Sequence, residues 1–260
     1  MGILNVTPDS FSDGGEFLDA EAAIARGIQM AEEGAHAIDV GGESTRPGSA
    51  AVSVEEELRR VVPVVRALAK AIRVPISIDT SKALVAEQAL DAGATLINDV
   101  TALRGDARMA KVAAAKKATV ILMHMRGTSR IMQRAPRYRD VVEEVTQHLR
   151  QAARFAQDSG IARSRILIDP GLGFGKTARH NLQLLQRLNR LTKLGYPVVV
   201  GASRKSFIGK TLNADVKDRL AGSLACVVQA RRHGAHMVRV HDVKPTADLL
   251  RMLQSIEAGT

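Results

Sequence analysis

Cysteine occurs once in the 260 residues, as Cys226, tryptophan is missing, and aromatic residues make up only 3%. A single thiol closes no internal disulfide, so stability must come from a packed core, and a reducing compartment suits the chain. Aromatics this scarce supply no platform for stacking nucleic-acid bases. No apolar run reaches the ~18 residues that a membrane helix needs. Met1-Gly2-Ile3-Leu4-Asn5 lacks the basic flank and long apolar stretch of a signal peptide, and Val6 stands where N-myristoylation needs Ser or Thr. The expected home is the cytoplasm, with no membrane partner.

What is present is a globular composition, 45% hydrophobic and 25% charged, with 37 Lys+Arg against 27 Asp+Glu and a net charge of +10. That balance favours anionic ligands. The basic residues are spread over helix-like segments (Arg59, Arg60, Arg66; Lys116, Lys117; Arg187, Arg190, Lys193). Dispersion of this kind reads as a solvated surface. A non-catalytic basic RNA-binding protein is therefore the distant alternative, and no nucleic-acid partner is expected.

Short aliphatic runs alternate with longer segments of helical period from end to end. Strands are predicted at 3–6, 37–40, 76–78, 95–97, 119–123, 166–168, 197–200 and 237–240. Helices are predicted at 20–33, 54–72, 82–91, 107–117, 141–159, 181–194, 220–233 and 246–256. Eight strands, each followed by a helix, in ~250 residues predict an α/β fold of one kind, a single (β/α)8 barrel over 1–260, rather than an open doubly wound sheet. A Gly-Ala pair recurs between helix and strand at Gly34-Ala35, Gly93-Ala94 and Gly234-Ala235. Each reads as a left-handed helix-terminating glycine before a tight turn.

Every predicted strand leads into polar residues. They are Asn5; Asp39 and Glu43; Asp79; Asn98 and Asp99; His124; Asp169; Ser203, Arg204, Lys205 and Ser206; and finally Arg239 and His241. Helix caps and turns account for some of these. Polar groups at all eight ends point to an active site at the mouth where C-terminal strand ends converge. The glycine-rich, charged stretches at 8–15 and 41–48 are expected to act as lids over that mouth.

The stretch GLGFGKT at 171–177 looks like a nucleotide phosphate loop, but Pro170 stands where that motif needs its first glycine. Gly209-Lys210-Thr211 fails in the same way, with Arg204 at that position. No His/Cys spacing resembles a zinc site, and Cys226 lies in an Ala/Leu/Val stretch of core character. A hydrated Mg²⁺ held by one protein oxygen and substrate phosphates stays open. Asp79, Asn98 and Asp169 suit a flat heterocycle rich in N–H donors, such as an aminopyrimidinone edge. Lys205, Arg239 and His241 suit an anion.

Several blocks in order then resemble one family. They are MGILNVTPDSFSDGG at 1–15, DVGGESTRPG at 39–48, IDT at 78–80, INDV at 97–100, MHM at 123–125, IDPGLGFGK at 168–176, SRKSFIG at 203–209 and RVHDV at 239–243. The chain resembles the dihydropteroate synthase family of pterin-binding TIM barrels across essentially its whole length. The resemblance implies a transferase that joins 6-hydroxymethyl-7,8-dihydropterin pyrophosphate to p-aminobenzoate and releases pyrophosphate. It also implies Mg²⁺, sulfonamide inhibition and a homodimer. It puts Asp79, Asn98, Met123, Asp169 and Lys205 around the pterin. Phe11, Thr45, Arg46, Pro47, Phe174, Lys205 and Ser206 fall around p-aminobenzoate or on the loops that close over it. Asn5, Arg46, Arg239 and His241 hold the pyrophosphate, with Asn5 also on the metal. Asp13, Asp79, Asp169, Lys205 and Arg239 carry the catalysis implied.

Two departures accompany the match. Arg126 stands where the family more often has Gln, and family members usually carry residues ahead of the first strand. The nearer alternative is a methyltransferase of the same barrel family that uses methyltetrahydrofolate. The block at 203–206 and both lid sequences, 8–15 and 41–48, resemble the p-aminobenzoate site and argue against it.

Overall fold

Short runs of Ile, Val and Leu with no polar face make strands that must be buried on both sides, as in parallel sheets covered by helices. The computed structural model describes residues 1–7, 16–44, 51–127, 132 and 135–259. Its strands are β1 Gly2–Asn5, β2 Ile38–Gly41, β3 Ile76–Asp79, β4 Leu96–Asp99, β5 Thr119–Met123, β6 Ile166–Asp169, β7 Val199–Val200 and β8 Met237–Val238. β1 to β6 form one parallel sheet in chain order, and β7 pairs with β8. Single parallel bridges join the two, Ile168 with Val198 and Gly2 with Val240. At the second seam Ile3 N–H donates to the Val240 carbonyl at 2.9 Å, and Val240 N–H to the Met1 carbonyl at 3.0 Å. The ring is that of the predicted barrel. Its core runs through buried Leu4, Ile38, Ile78, Ile97, Leu122, Ile166 and Ile168.

The helices are α1 Glu16–Glu32, α2 Val54–Ala71, α3 Ala83–Asp91, α4 Met109–Ala115, α5 Val141–Asp158, α6 Ala178–Gln186, α7 Asn189–Thr192, α8 Ser206–Leu212, α9 Leu220–Arg232 and α10 Val243–Ala258. Capping explains where the best-formed ones begin. The Ser53 hydroxyl accepts from Glu56 N–H at 3.2 Å ahead of an acidic first turn in α2. The Asp140 carboxylate accepts from Val142 N–H at 2.9 Å to open α5. Both arrangements satisfy amides that have no partner within the helix and favour the positive helix end. α5 then buries Val142, Val145, Leu149, Ala152, Ala153 and Ala156, an apolar stripe at helical spacing.

The Gly-Ala echo is a turn with a defined hydrogen-bond pair. Gly34, Gly93 and Gly234 have φ of +99°, +118° and +82°. At each, the following Ala N–H donates back to a carbonyl five residues earlier, as Ala35 does to Met30 at 3.0 Å. This is the Schellman closure of a helix. The same bonds occur at Gly160-Ile161 and at Lys117-Ala118, where a lysine takes φ of +53°.

Four expectations are corrected. β7 and β8 are two residues long, so Arg239 follows β8 instead of lying on it. The predicted helix over 181–194 is two helices, because Arg187 leaves helical geometry at φ −114°, ψ 27° and turns its guanidinium to Asp140. α8 was not predicted: seven residues are too few to show a helical period. α1 and α10 begin earlier, at Glu16 and Val243. Phe11, Asp13, Thr45, Arg46 and Pro47, with the whole expected lid at 8–15 and residues 45–48 of the other, lie outside the described residues. No helix among the described residues is long and apolar enough to cross a membrane.

Candidate active site

A chain that ends its strands on charged residues must either solvate them or pair them. Here they are paired across the mouth of the barrel. Asp79 closes β3, Asn98 and Asp99 close β4, Met123 closes β5 and Asp169 closes β6. Arg239, just after β8, reaches over to β2 and β3. Its Nε donates to Asp39 Oδ2 at 2.5 Å and its Nη2 to Asp79 Oδ2 at 2.7 Å. Asn98 Nδ2 donates to the same Asp39 oxygen at 2.9 Å. That fixes the amide and leaves the Asn98 carbonyl oxygen for a ligand's N–H.

The Asp79 carboxyl is pushed up to about 7, by burial first, against the pull of Arg239 and with Asp39, Glu57 and Asp99 adding to the rise. The Asp169 carboxyl is raised too, chiefly by burial, opposed by Lys205 and by the Gly171 N–H that donates to its Oδ1 at 2.6 Å. Lys205 Nζ donates to the Leu172 carbonyl and stands 4.7 Å from the centre of the Phe174 ring. Burial brings Lys205 down to about 8, with Asp169 and Asp79 resisting and Arg239 assisting. Arg239 is held firmly charged by the carboxylates around it despite its burial. The mouth thus carries two carboxyl groups poised near neutrality or above their ordinary range, an oriented amide, and two cations. A donor-rich ring and an attached anion are the complement of that set.

A sequence profile of the family described as pterin-binding enzyme matches residues 1–241. The chain belongs to the pterin-binding enzyme family. Within it the chain is 49% identical over 255 residues to the dihydropteroate synthase of Escherichia coli (strain K12), covering 98% of this chain and 90% of that one. A solved Xanthomonas albilineans dihydropteroate synthase with 4-aminobenzoic acid superposes with a TM-score of 0.94 at 49% identity, covering 99% and 92% of the two chains. The Yersinia pestis dihydropteroate synthase in a sulfonamide drug complex superposes with a TM-score of 0.94 at 45% identity, covering 99% and 94%. The family is one of TIM-barrel transferases, which accords with the ring of strands and with polar groups gathered at one end of it.

Of the residues singled out in the sequence, Asp79, Asn98, Asp169, Lys205 and Arg239 come together in one charged cluster. Met123 is buried at the end of β5, and Phe174 stands beside Lys205. Asn5 ends β1 in register with Gly41. His241 is tied to β7's exit: its N–H donates to Ser203 Oγ at 3.1 Å, and its Nδ1 lies 3.0 Å from the same oxygen. Ser206 is exposed on the first turn of α8. Other strand-end residues do the blander work of turns. Asp99 accepts from the amides of Thr101 at 2.8 Å and Leu103 at 2.9 Å, and Arg204 pairs with Asp242. His124 faces Lys176 inside the protein.

Sequence reasoning counted Asp39 only among the strand-end polar groups and gave it no ligand, yet it holds both Arg239 and Asn98. Its side chain is fully buried, and its Oδ1 has no hydrogen-bond partner among the described residues. A carboxylate set between Ile38 and Val40 was the available signal, since such a charge needs a cation. Nothing in the sequence says which cation, because Arg239 is 200 residues away.

Proposed function

We infer that this chain makes 7,8-dihydropteroate from 6-hydroxymethyl-7,8-dihydropterin pyrophosphate and p-aminobenzoate, releasing pyrophosphate. The observation that carries this reading is the Asp39–Arg239–Asp79 network with Asn98 and Asp169 beside it. Carboxylates and an oriented amide carbonyl are acceptors for the ring N–H edge of a pterin. Arg239, with one guanidinium edge spent on Asp39 and Asp79, keeps N–H groups on the other for phosphate oxygens. His241 and Asn5, at neighbouring ends of the barrel mouth, extend the anion site. Lys205 and Phe174 line the side toward which p-aminobenzoate would approach, with Ser206 next to them. Phe11, Asp13, Thr45, Arg46 and Pro47 join the reading through the family resemblance.

Substitution at the pterin methylene has a weak aniline nucleophile, so departure of pyrophosphate leads. Arg239 meets the negative charge as it leaves, in a geometry fixed before the reaction begins, which is where electrostatic catalysis gains most. Asp79 and Asp169 favour the positive charge left on the pterin. Among the described residues no group of three or more His, Cys, Asp and Glu could hold a metal. A single hard oxygen, the Asn5 side-chain carbonyl at the end of β1, does fit Mg²⁺, which is usually held by one or two protein oxygens plus substrate phosphates and water. Bound there, Mg²⁺ would neutralise charge on the departing pyrophosphate. The same reading carries a cytoplasmic homodimer of one-domain chains; exposed Leu212 and Val216 offer apolar surface to a second copy.

Two measurements check the reading. Pyrophosphate release should require p-aminobenzoate and yield a product with the mass of dihydropteroate. Release that is independent of p-aminobenzoate, or none at all, would overturn it. The pH profile of kcat/KM for the pterin substrate should be a narrow bell. Ionised Asp79 offers the ring's N–H groups two charged acceptors, whereas its protonated form loses the charge and turns an O–H donor toward them, so activity falls as pH drops through about 7. Lys205 acts as an ammonium, so activity falls again as pH rises through about 8. A flat profile across that range would remove both groups from the reaction.

A third expectation concerns binding order. Asn5 ends β1, and Arg239 and His241 follow β8, whereas the family resemblance puts Thr45 and Arg46 on the loops that close over p-aminobenzoate. A sulfonamide should therefore bind at least ~10-fold tighter when Mg²⁺ and pyrophosphate are already present, a coupling of ordinary size. Equal affinity with and without them, read by calorimetry, would show a preformed pocket.

A further inference from the structure

The stretch 171–177 resembles a phosphate loop in sequence, but its lysine turns inward. Lys176 is 2% exposed. Its Nζ donates to the carbonyls of Gly171 at 2.9 Å, Phe174 at 2.9 Å and His124 at 3.3 Å. It also lies 2.9 Å from His124 Nδ1. Burial pushes Lys176 well below the ordinary lysine range, with Asp169 opposing, but four acceptors around its nitrogen favour the ammonium and an imidazole that accepts at Nδ1. His124 fits that role: burial first, then the nearby Lys176 charge, brings it down to about 2, so it is neutral.

The loop can wrap this tightly only with glycine at two points. A Cβ on Gly171, at φ +66°, would lie 2.0 Å from the His124 carbonyl oxygen. One on Gly175, at φ +64°, would lie 2.4 Å from that of Arg126. Tyr138 Oη donates to the Gly175 carbonyl at 2.8 Å, and Gly173 N–H donates to Asn181 Oδ1 at 2.8 Å. These bonds hold other points of the loop. Among the described residues, Lys176 is the side chain that draws the Gly171 and Phe174 carbonyls inward.

The outer side of the same short loop is the resting place of Lys205. The Leu172 carbonyl accepts from its Nζ, and the Phe174 ring stands 4.7 Å from that ammonium. A Cβ on Gly173 would come within 3.1 Å of Lys205 Cδ. One lysine thus anchors the loop from within, and the other leans on it from the mouth. Turning the Phe174 carbonyl inward fixes the backbone from which its ring reaches Lys205. The Leu172 peptide is held between the two anchored carbonyls.

We propose that Lys176 is a positioning residue for Lys205, acting through the carbonyls of Gly171, Phe174 and His124 to set the Leu172 carbonyl and Phe174 ring against it. The inference rests on the reading of Lys205 as a substrate contact. It gives the buried pair Lys176–His124 a part in the reaction without contact with substrate.

A double-mutant cycle tests it, with kcat and both KM values measured on the full chain for Lys176→Met, Lys205→Ala and the pair. If Lys176 works through Lys205, Lys176→Met costs about 10-fold in kcat/KM alone and nearly nothing further in the Lys205→Ala background. Independent losses that multiply in the double variant, with Lys205→Ala itself impaired, overturn the proposal while leaving the proposed function intact. A Lys205→Ala variant with unchanged constants removes the role of Lys205 first, and the inference falls with it. Should Lys176→Met fail to fold, Lys176→Gln, which keeps N–H donors for the carbonyls, replaces it in the cycle. Coupling of Lys176→Gln to Lys205→Ala supports the route through the loop, and additivity breaks it.

Discussion

Arg239→Met lowers kcat for dihydropteroate formation by at least ~100-fold, because removing one preorganised donor from a site of developing charge costs ~10²–10³ in rate. The loss has a structural component as well. Arg239 is the cation for Asp39, which is fully buried. Removing one partner of a buried pair leaves an uncompensated charge at a cost of ~3–5 kcal/mol, so the melting temperature falls together with activity. Arg239→Lys separates the two effects. It keeps the charge, but a point ammonium cannot meet Asp39 and Asp79 together and still face phosphate oxygens. It should recover much of the stability and leave pyrophosphate affinity weakened by ~10-fold or more. An Arg239→Lys enzyme with wild-type pyrophosphate affinity would show that the guanidinium fork is not what binds the anion.

Asp79→Asn weakens binding of a pterin pyrophosphate analogue by ~10–150-fold, the equivalent of one lost charge-assisted hydrogen bond at ~1.5–3 kcal/mol. The amide presents donors where the ring also presents donors. It also leaves Arg239 Nη2 without the carboxylate it meets at 2.7 Å. The sign of the effect on the empty protein differs. A carboxyl raised from 3.8 to about 7 binds its proton more tightly folded than unfolded, so stability declines as pH climbs through that window. Asp79→Asn removes that decline. Calorimetry of the analogue, with thermal melts at pH values from 3.8 up to about 7, reads both consequences. Unchanged affinity would take Asp79 out of the pterin site.

The barrel is legible in the sequence because its strands are short aliphatic runs, each followed by helical periodicity and several preceded by a helix-ending glycine. The same runs make the site legible. Asp79, Asn98 and Asp169 stand where an apolar strand ends in a polar group, and a barrel gathers such ends at one mouth. What escapes the sequence is pairing at long range. Asp39 acquires its role from Arg239, and Lys176 from carbonyls that glycines bring within reach. The stretch 171–177 fails the phosphate-loop pattern at Pro170, and its lysine serves the protein's own backbone instead. α8 carries too few residues to betray a period, and the brevity of β7 and β8 depends on how the ring closes at β1 and β6. Lys117 takes a left-handed helix end that glycine usually marks, so the sequence echo stops short of it.

A crystal structure of this chain with pteroic acid is the most direct test of the site. The account predicts the pteridine edge on Asp79, Asn98 and Asp169, with Lys205 beside the ring and the benzoate end running past Phe174 toward Ser206. A pteridine seated away from the Asp39–Arg239–Asp79 network, with those three side chains still bonded only to one another, would contradict it.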